Sequence, residues 1–392
     1  MSRRKSAFAE HGIENEINTL VERTQRIYLE DDIPWIIGYS GGKDSTATTQ
    51  LVWQALSELP KDKRHKDVHI ISTDTLVENP IVSLWVEKSL TTMEQAAAEQ
   101  ELPIIPHKLT PEIKDRFWVN LIGRGYPTPR PKFRWCTERL KISPANQFMT
   151  EMVQKNGEAI LVLGTRKAES AARHASMKRH ENSTREYLSK NANQQLDRAW
   201  IYAPIGEWTN DDVWGYLVAY DNPWGYDNSS LLSMYRGATE DNECPLVVDS
   251  STPSCGDSRF GCFVCTMVEQ DKSMAAMIKN DDEKQWMKPL LNFRDKWLTT
   301  KDREFRDFRR MNGQLTVYMD RLVHGPYKES YRHQLLSELL KAQTKVRTLG
   351  PEDVRELDLI TIEDLEEIRR IWVIEKHEIE DALPEIYEEA TG

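Results

Sequence analysis

Short apolar runs alternate with helix-periodic segments along the first half of this 392-residue chain. The clearest example is the β-rich run 33–39, which Ala47, Leu51 and Ala55 follow at four-residue spacing. The run predicts a strand, and the spacing predicts a helix with one apolar face. Further strand-like runs lie at 68–71, 103–108, 159–163 and 200–205. Strands that alternate with helices predict an α/β fold with a parallel sheet flanked by helices.

The pattern changes after residue 222. A loop rich in glycine, proline, serine and cysteine comes first, and helical periodicity dominates from Val268 to the end of the chain. We therefore predict two domains, residues 1–222 with the sheet and residues 223–392 with a cysteine-rich, helical region.

A glycine turn joins the first strand to its helix, with the sequence Ser40-Gly41-Gly42-Lys43-Asp44-Ser45. Two glycines let a backbone approach a ligand closely, and a helix start offers free N–H groups and a positive dipole end. The turn therefore predicts a phosphate site. The ordinary P-loop pattern fails, because Ile37 stands at its first glycine and Asp44 follows the lysine. The alternative is a turn that binds nothing.

The net charge of −11 lies at the C-terminal end of the chain. Residues 351–392 carry 15 acidic and 4 basic side chains, which leaves 48 of each in the rest. No apolar run approaches the roughly 20 residues of a membrane span, and residues 1–10 are polar. We expect a cytoplasmic protein with no membrane partner, in which five cysteines serve a metal, a cluster or catalysis rather than disulfides.

Four of those cysteines follow the spacing C-x10-C-x6-C-x2-C, at Cys244, Cys255, Cys262 and Cys265. Four thiolates this close can enclose zinc or a 4Fe-4S cluster, and the spacing does not choose between them. Unrelated free thiols are the third possibility. The fifth, Cys136, stands among basic residues, which should favour its reactive thiolate. An inert buried thiol is the alternative.

Two basic segments are candidates for nucleic-acid contact. Residues 110–141 hold 8 Lys/Arg against 3 acids, interleaved with aromatic residues that could stack bases: Phe117, Trp118, Tyr126, Phe133 and Trp135. The alternative is a surface connection whose basic residues contact ATP alone. The second segment contains Arg303, Arg306, Arg309 and Arg310, which form either a basic stripe or a solvated helix face.

The six-residue turn resembles the SGGxDS loop of the N-type ATP pyrophosphatases, or PP-loop family, which cleave ATP to AMP and pyrophosphate. Segments 74–78, 134–141 and 164–170 resemble its phosphoadenylylsulfate (PAPS) reductase-like branch. The resemblance implies that ATP phosphates and Mg²⁺ sit on Ser40 to Ser45. It places Asp74, Thr75, Glu78, Gly164, Arg166 and Arg173 in the nucleotide site. It gives chemical roles to Lys43, Asp44, Cys136 and Arg166.

The cysteine half resembles a narrower group. Segments 232–238, 243–249, 254–262 and 325–327 are similar to DndC-type ATP pyrophosphatases of DNA phosphorothioation and their SspD-type relatives. This implies adenylation of a DNA backbone phosphate, a cysteine desulfurase as sulfur donor, further phosphorothioation proteins as partners, and a 4Fe-4S cluster rather than zinc. Cys136 would carry a persulfide or complete the cluster. The alternatives are PAPS or adenylylsulfate reduction, tRNA thiolation, and an ATP-binding scaffold without turnover.

Overall fold

The structure is a computed structural model. It describes residues 5–169, 174–175, 177, 185–191, 196, 198–239, 260–310 and 313–392.

A six-stranded sheet lies at the centre of the N-terminal half, in the order β3-β2-β1-β4-β6-β5. Its strands are β1 (Trp35–Gly38), β2 (Val68–Thr73), β3 (Ile104–Leu109), β4 (Ala159–Val162), β5 (Leu188–Lys190) and β6 (Ala199–Tyr202). Neighbouring strands are parallel except β5, which runs antiparallel to β6. The predicted α/β fold is confirmed, and β5 is an addition that the apolar pattern did not reveal.

Helices cover both faces of this sheet. They are α1 (Gly12–Leu29), α2 (Lys43–Ser57), α3 (Pro80–Glu99), α4 (Ser143–Asn156) and α5 (Asn210–Ala219). Alternate residues of β1 face opposite layers: Trp35 and Ile37 pack with α1, α2 and α3, whereas Ile36 packs with α4. The start of α3 follows the predicted rule, since Asn79 caps the helix by accepting a hydrogen bond from the Ile81 N–H at 3.0 Å and Pro80 occupies its first turn.

The C-terminal part is helical, as predicted. It contains α6 (Asn228–Gly237), α7 (Lys272–Asn280), α8 (Lys288–Trp297), α9 (Glu329–Leu349), α10 (Ile362–Arg370) and α11 (Leu383–Thr391). Its largest hydrophobic cluster also includes Ile17 and Leu51 of the N-terminal half. The boundary at residue 222 remains a prediction, and the two parts share this core.

The arginine-rich segment near residue 303 is not the helix face that was one alternative. A single 3₁₀ turn, Arg303–Phe305, is followed by isolated β-bridges that pair Arg306 with Tyr327 and Arg309 with Leu315. A two-stranded hairpin, β7 (Val317–Tyr318) and β8 (Arg321–Leu322), completes this segment.

None of the helices within the described ranges is long and apolar enough to cross a membrane.

Candidate active site

A cavity of about 1010 Å³ opens at the carboxyl ends of β1, β2 and β4. The chain order reverses between β1 and β4, and open α/β sheets bind ligands at such a point. Of the predicted nucleotide residues, the cavity wall contains Ser40, Gly41, Gly42, Lys43, Asp44, Asp74, Glu78 and Arg166. The structure therefore brings most of the predicted phosphate site together around one space.

The glycine turn needs its first glycine for two reasons. Gly41 has φ +70°, a conformation that side chains rarely adopt, and a Cβ there would lie 2.5 Å from Cγ2 of Val86. The Trp85 indole N–H donates to the Gly41 carbonyl at 3.2 Å. Trp85 and Val86 of helix α3 therefore fix the shape of the turn at Gly41.

Ser45 braces the turn from inside. Its hydroxyl donates to the Gly42 carbonyl at 2.9 Å and accepts from the Ser40 N–H at 3.2 Å. The side chain is buried and lies outside the cavity wall. The structure thus gives Ser45 a role in shaping the turn, and its predicted contact with nucleotide stays a prediction.

Three charged side chains meet at the start of α2. The Asp44 carboxylate lies 3.0 Å from Lys43 Nζ and 2.6 Å from Arg166 Nε. Arg166 is 4% exposed and also donates to the Trp208 carbonyl at 3.3 Å. Asp44 therefore orients both cations at the cavity wall, where they would face the phosphates of a nucleotide.

Gly164 has a packing role that its predicted phosphate contact does not describe. A Cβ at this position would lie 2.6 Å from the Asp44 carbonyl oxygen and 3.0 Å from the Ser45 nitrogen. Glycine lets the end of β4 press against the first turn of α2. Gly164 lies outside the cavity wall, so its contact with nucleotide remains a prediction.

The residues after β2 connect the cavity to the cysteines. Asp74 accepts from the Leu76 N–H at 2.8 Å and pairs with Lys108 at 3.2 Å. The first contact caps a turn, which is the structural alternative to the nucleotide contact that the sequence predicts for Asp74. Thr75 is buried; its hydroxyl donates to Glu78 at 3.0 Å and lies 3.5 Å from Cys262 Sγ. The predicted triad is thus divided: Asp74 and Glu78 face the cavity, and Thr75 faces the cysteine side.

Two of the predicted metal ligands lie at this junction. Cys262 pairs with Glu78 in an isolated antiparallel bridge, and the Cys265 N–H donates to the Cys262 carbonyl at 3.0 Å. Lys141 lies 3.2 Å from Glu78 and lines the cavity. Burial acts to lower the pKa of Lys141, but Cys262, Glu78 and Cys136 outweigh it and raise the pKa.

Cys136 lies near Lys141 and Cys265, since both interact with it electrostatically. Burial raises the pKa of the Cys136 thiol and raises that of Cys262 to about 12. Arg134 acts to lower the pKa of Cys136, as expected, but burial outweighs it, which favours the alternative of a protonated thiol when no metal is bound. A metal or cluster changes this, because coordination deprotonates a thiol outright.

Among the described residues, three cysteines lie in one region, but their sulfur atoms do not form a group within 4.8 Å of one another. Cys136, Cys262 and Cys265 are soft sulfur donors from two distant segments, typical of zinc or iron–sulfur sites. The predicted ligands Cys244 and Cys255 lie outside the described residues, as does the predicted phosphate clamp Arg173. Carboxylates suited to Mg²⁺ are present in the cavity wall at Asp44, Asp74 and Glu169.

Most of the aromatic side chains in residues 110–141 are not free to stack bases. Phe117, Trp118 and Trp135 are 1%, 2% and 8% exposed, and the first and last stack on each other with ring centroids 5.2 Å apart. Phe133 is different, with 43% of its surface exposed. The base-stacking interpretation is wrong for the three buried rings and stays open for Phe133.

Sequence reasoning missed Tyr235 and Phe260, which both line the cavity. The Tyr235 hydroxyl accepts from the Lys43 N–H at 3.4 Å, and its ring packs edge-on against Phe260 at 4.7 Å. Burial raises the pKa of Tyr235 to about 12, so this hydroxyl stays protonated. Both lie in segments 232–238 and 254–262 that carry the resemblance to phosphorothioation enzymes, but no local signal placed them at the glycine turn, because the fold alone brings them there.

The first half of the chain is similar to a known domain family. Residues 34–225 match the phosphoadenosine phosphosulfate reductase domain family. This region is therefore similar to PAPS reductase domains, and its mostly parallel sheet flanked by helices is typical of that fold. The matched region contains the glycine turn, Cys136 and Arg166. It ends before Tyr235, Phe260 and the Cys262–Cys265 pair, so these residues belong to the C-terminal region.

Similarity to individual proteins is more distant. An uncharacterized protein of Methanocaldococcus jannaschii is 25% identical over 276 residues, which cover 70% of this chain and 45% of that protein. The chain therefore spans about half the length of this relative.

Two solved structures illustrate the structural similarities. The PAPS reductase from Candida auris, in a phosphate complex, is 14% identical with a TM-score of 0.32, covering 59% of this chain and 93% of its own. The U34-tRNA thiolase NcsA from Methanococcus maripaludis, with its [4Fe-4S] cluster, is 15% identical with a TM-score of 0.34, covering 56% and 70%.

Proposed function

We propose that this protein uses ATP to adenylate a backbone phosphate of DNA, releasing pyrophosphate, so that sulfur can replace an oxygen at that phosphorus. The observation that carries the proposal is that one cavity is lined both by the predicted phosphate-site residues and by residues beside the cysteines. Lys43 and Asp44 line the same cavity as Glu78 and Lys141, and Glu78 also bridges to Cys262. Nucleotide activation and sulfur chemistry would thus occur at two ends of one space.

The nucleotide end supplies positive charge where pyrophosphate leaves. Main-chain N–H groups at the start of α2 and the Lys43 ammonium would face the β- and γ-phosphates. A DNA phosphate oxygen attacks the α-phosphorus of ATP, a P–O–P bond forms, and the bond to pyrophosphate breaks. Asp44 holds Lys43 and Arg166 in position, so their charge is preorganised for the developing anion. Mg²⁺ bound with ATP would add Lewis-acid stabilisation.

The cysteine end supplies sulfur. A persulfide, loaded by a cysteine desulfurase, attacks the adenylated DNA phosphorus through its terminal sulfur, and AMP leaves with the bridging oxygen. A second thiol then cleaves the sulfur–sulfur bond, forming a disulfide and leaving sulfur on the DNA. Cys136 would carry the persulfide, or it would join Cys262 and Cys265 in holding a 4Fe-4S cluster, with zinc as the weaker alternative occupant. Iron–sulfur coordination would supply a thiophilic centre at this end.

DNA as the substrate is supported by the resemblance of segments 232–238 and 254–262 to phosphorothioation enzymes. The same resemblance supports a cysteine desulfurase and other phosphorothioation proteins as partners. The match of residues 34–225 to the PAPS reductase domain favours a second candidate, the reduction of sulfate bound to a nucleotide. That reaction needs no DNA and releases sulfite.

The test is an anaerobic incubation with α-labelled ATP, in which AMP and ADP are separated. The protein is incubated alone, with duplex DNA, with tRNA, and with PAPS plus a dithiol reductant in place of ATP, because release of sulfite from PAPS consumes two electrons. We expect pyrophosphate release and transfer of the label to DNA when DNA is added, and AMP release when a sulfur donor is also present. Stimulation by tRNA alone would transfer the proposal to tRNA thiolation, and sulfite from PAPS would favour the reductase.

Two controls make the result specific. ADP as the product would show ordinary ATP hydrolysis rather than adenylation. The same mixtures are repeated with a desulfurase and cysteine, because a missing sulfur donor must not be mistaken for an inactive protein. Absence of AMP in every mixture would leave the ATP-binding scaffold as the better description.

A further inference from the structure

A second surface, away from the cavity, has the shape and charge of a nucleic-acid contact. We call it the arm and define it by the described residues 303–310 and 313–328. Strands β7 and β8 pair antiparallel at its outer end, and the two residues between them, Met319 and Asp320, have φ of 46° and 58°. Positive φ at both positions is typical of the tight turn that gives a hairpin its right-handed twist.

The outer end of the arm exposes apolar side chains. Val317, Tyr318 and Met319 are 61%, 65% and 77% exposed, and Leu315 and Leu322 are also exposed. Within the described part of the chain, no hydrophobic cluster includes them. A contiguous exposed apolar group of this kind marks a contact site rather than a core.

The arm is basic in an acidic protein. It carries six Lys or Arg against three Asp or Glu, in a chain of net charge −11. Arg303, Arg309 and Arg321 are exposed, and none forms an ion pair with a described residue. Asp307 is occupied locally, because its carboxylate accepts from the N–H groups of Phe308 and Arg309. The exposed charge of the arm is therefore mainly positive, which suits a polyanion.

The base of the arm is held against the cysteine side of the molecule. Arg306 donates to the Gly325 and His324 carbonyls at 2.8 and 2.6 Å. The Tyr327 N–H donates to the Gly125 carbonyl at 2.7 Å, and its hydroxyl donates to Asp302 at 2.9 Å. These contacts place the base of the arm beside residues 125–130.

The same stretch also contacts the cysteine pair. The Thr266 hydroxyl, next to Cys265, donates to the Pro129 carbonyl at 2.5 Å. Arg130 in turn pairs with Asp302 at 2.7 Å, directly before the arm. The tight turn that follows exposes Lys132, Phe133 and Arg134. A polymer bound along the arm would therefore pass close to Cys136 and Cys265.

We propose that the arm, together with residues 132–134, is the docking surface for duplex DNA. This rests on the function proposed above, and it names where the substrate binds. A two-stranded β-ribbon fits the roughly 12 Å major groove of B-DNA, whereas the major groove of A-form RNA is too narrow for it. The arginines contact backbone phosphates on both sides of the ribbon, and the apolar end contacts base edges such as thymine methyl groups.

The test measures binding of a fluorescent DNA duplex to the full-length protein without ATP, over a series of salt concentrations. The variant is Arg309→Glu with Arg321→Glu. The matched control is Lys63→Glu with Lys155→Glu, which makes the same change in charge at two exposed lysines outside the arm, one in the connection before β2 and one in the last turn of α4. We expect the arm variant to bind at least about tenfold more weakly and to reduce the slope of log affinity against log salt by about 2.

A charge-preserving variant, Arg309→Lys with Arg321→Lys, should keep binding within about threefold, since phosphate contacts need charge more than shape. This separates lost contacts from a misfolded hairpin. Equal binding by the arm variant and the control pair would overturn the proposal. Preference for tRNA, or for a protein partner with no affinity for duplex DNA, would overturn it as well.

The binding assay and the AMP assay fail independently. If the arm binds DNA but DNA does not stimulate AMP release, the docking surface stands and the adenylation proposal falls. If DNA stimulates AMP release equally in the wild type and the arm variant, adenylation stands and the docking surface falls.

Discussion

The two ends of the cavity are built in different ways. The nucleotide end is centred on six consecutive residues whose backbone and first helical turn offer most of the binding groups, and Arg166 joins them from the segment after β4. The cysteine end is assembled from three separate segments, residues 74–78, 136–141 and 260–265, which the fold brings together. A contiguous motif can be recognised from the sequence alone. A site assembled from separate segments depends on how the rest of the chain packs. The cysteine end should therefore be the more sensitive to distant substitutions.

The largest expected effect tests that dependence at Asp302. This carboxylate is 0% exposed and accepts from Arg130 at 2.7 Å and from the Tyr327 hydroxyl at 2.9 Å. Asp302→Ala leaves Arg130 and Tyr327 without their partner, and we expect a loss of about 3–5 kcal/mol in the free energy of unfolding. Urea denaturation measures it, with the exposed Asp62→Ala as the control. A decrease of less than about 1 kcal/mol in the free energy of unfolding would show that the contacts of Asp302 with Arg130 and Tyr327 are dispensable.

The next effect isolates the nucleotide end. Lys43→Ala removes the ammonium that Asp44 holds at the cavity wall, and we expect AMP release to fall by about 10²–10³-fold. The fold should persist, because the Lys43 side chain is not part of a hydrophobic cluster within the described residues. Lys63→Ala, on the exposed connection before β2, is the control. AMP release within threefold of the wild type would remove Lys43 from the mechanism.

A smaller effect tests how far the six-residue turn depends on its surroundings. Gly164→Ala would place a Cβ 2.6 Å from the Asp44 carbonyl, so β4 or α2 must move. We expect a loss of about 1–3 kcal/mol in the free energy of unfolding, together with weaker ATP binding. Gly237→Ala is the matched control, because a Cβ there meets no atom within 4 Å. If both variants unfold at the same urea concentration, the close approach of β4 and α2 is not required.

The smallest effect concerns a part of the sheet that belongs to neither end. His69 Nδ1 and His107 Nε2 lie 2.9 Å apart on β2 and β3. Burial lowers the pKa of both; for His69, His107 and Lys155 add to this and Asp67 opposes it. The unfolded chain therefore binds more protons at these two histidines than the folded chain does. Their contribution to the free energy of unfolding is fully present above about pH 6.5 and is lost as the pH falls below it.

His69→Gln with His107→Gln should reduce that acid-induced loss by about 1 kcal/mol between pH 7.5 and 5. Urea denaturation at the two pH values measures the difference, with the exposed His11→Gln as the control. An unchanged pH dependence in the double variant would assign the acid sensitivity to other groups.

What could be predicted from the sequence follows the same division. The five parallel strands, the order of helices and the glycine turn were predictable because each depends on local period or local backbone chemistry, whereas the short antiparallel β5 was not. Tyr235 was not, because its hydroxyl reaches the Lys43 amide only through the packing of α6 against the sheet domain. The sequence pattern predicts that the Trp135 ring could stack on a base at the surface. In the structure this ring stacks on Phe117 inside the core. A pattern of aromatic and basic residues cannot show which rings turn inward.

The Tyr235 hydroxyl occupies a main-chain N–H group that a nucleotide phosphate would also use. Tyr235 and Phe260 touch each other, and the chain between them carries Cys244 and Cys255. A phosphate that accepts from the Lys43 N–H would take the place of the Tyr235 hydroxyl, whose ring packs against Phe260. Nucleotide binding would therefore change the hydrogen bonding of a buried tyrosine that the C-terminal region contributes to the cavity wall.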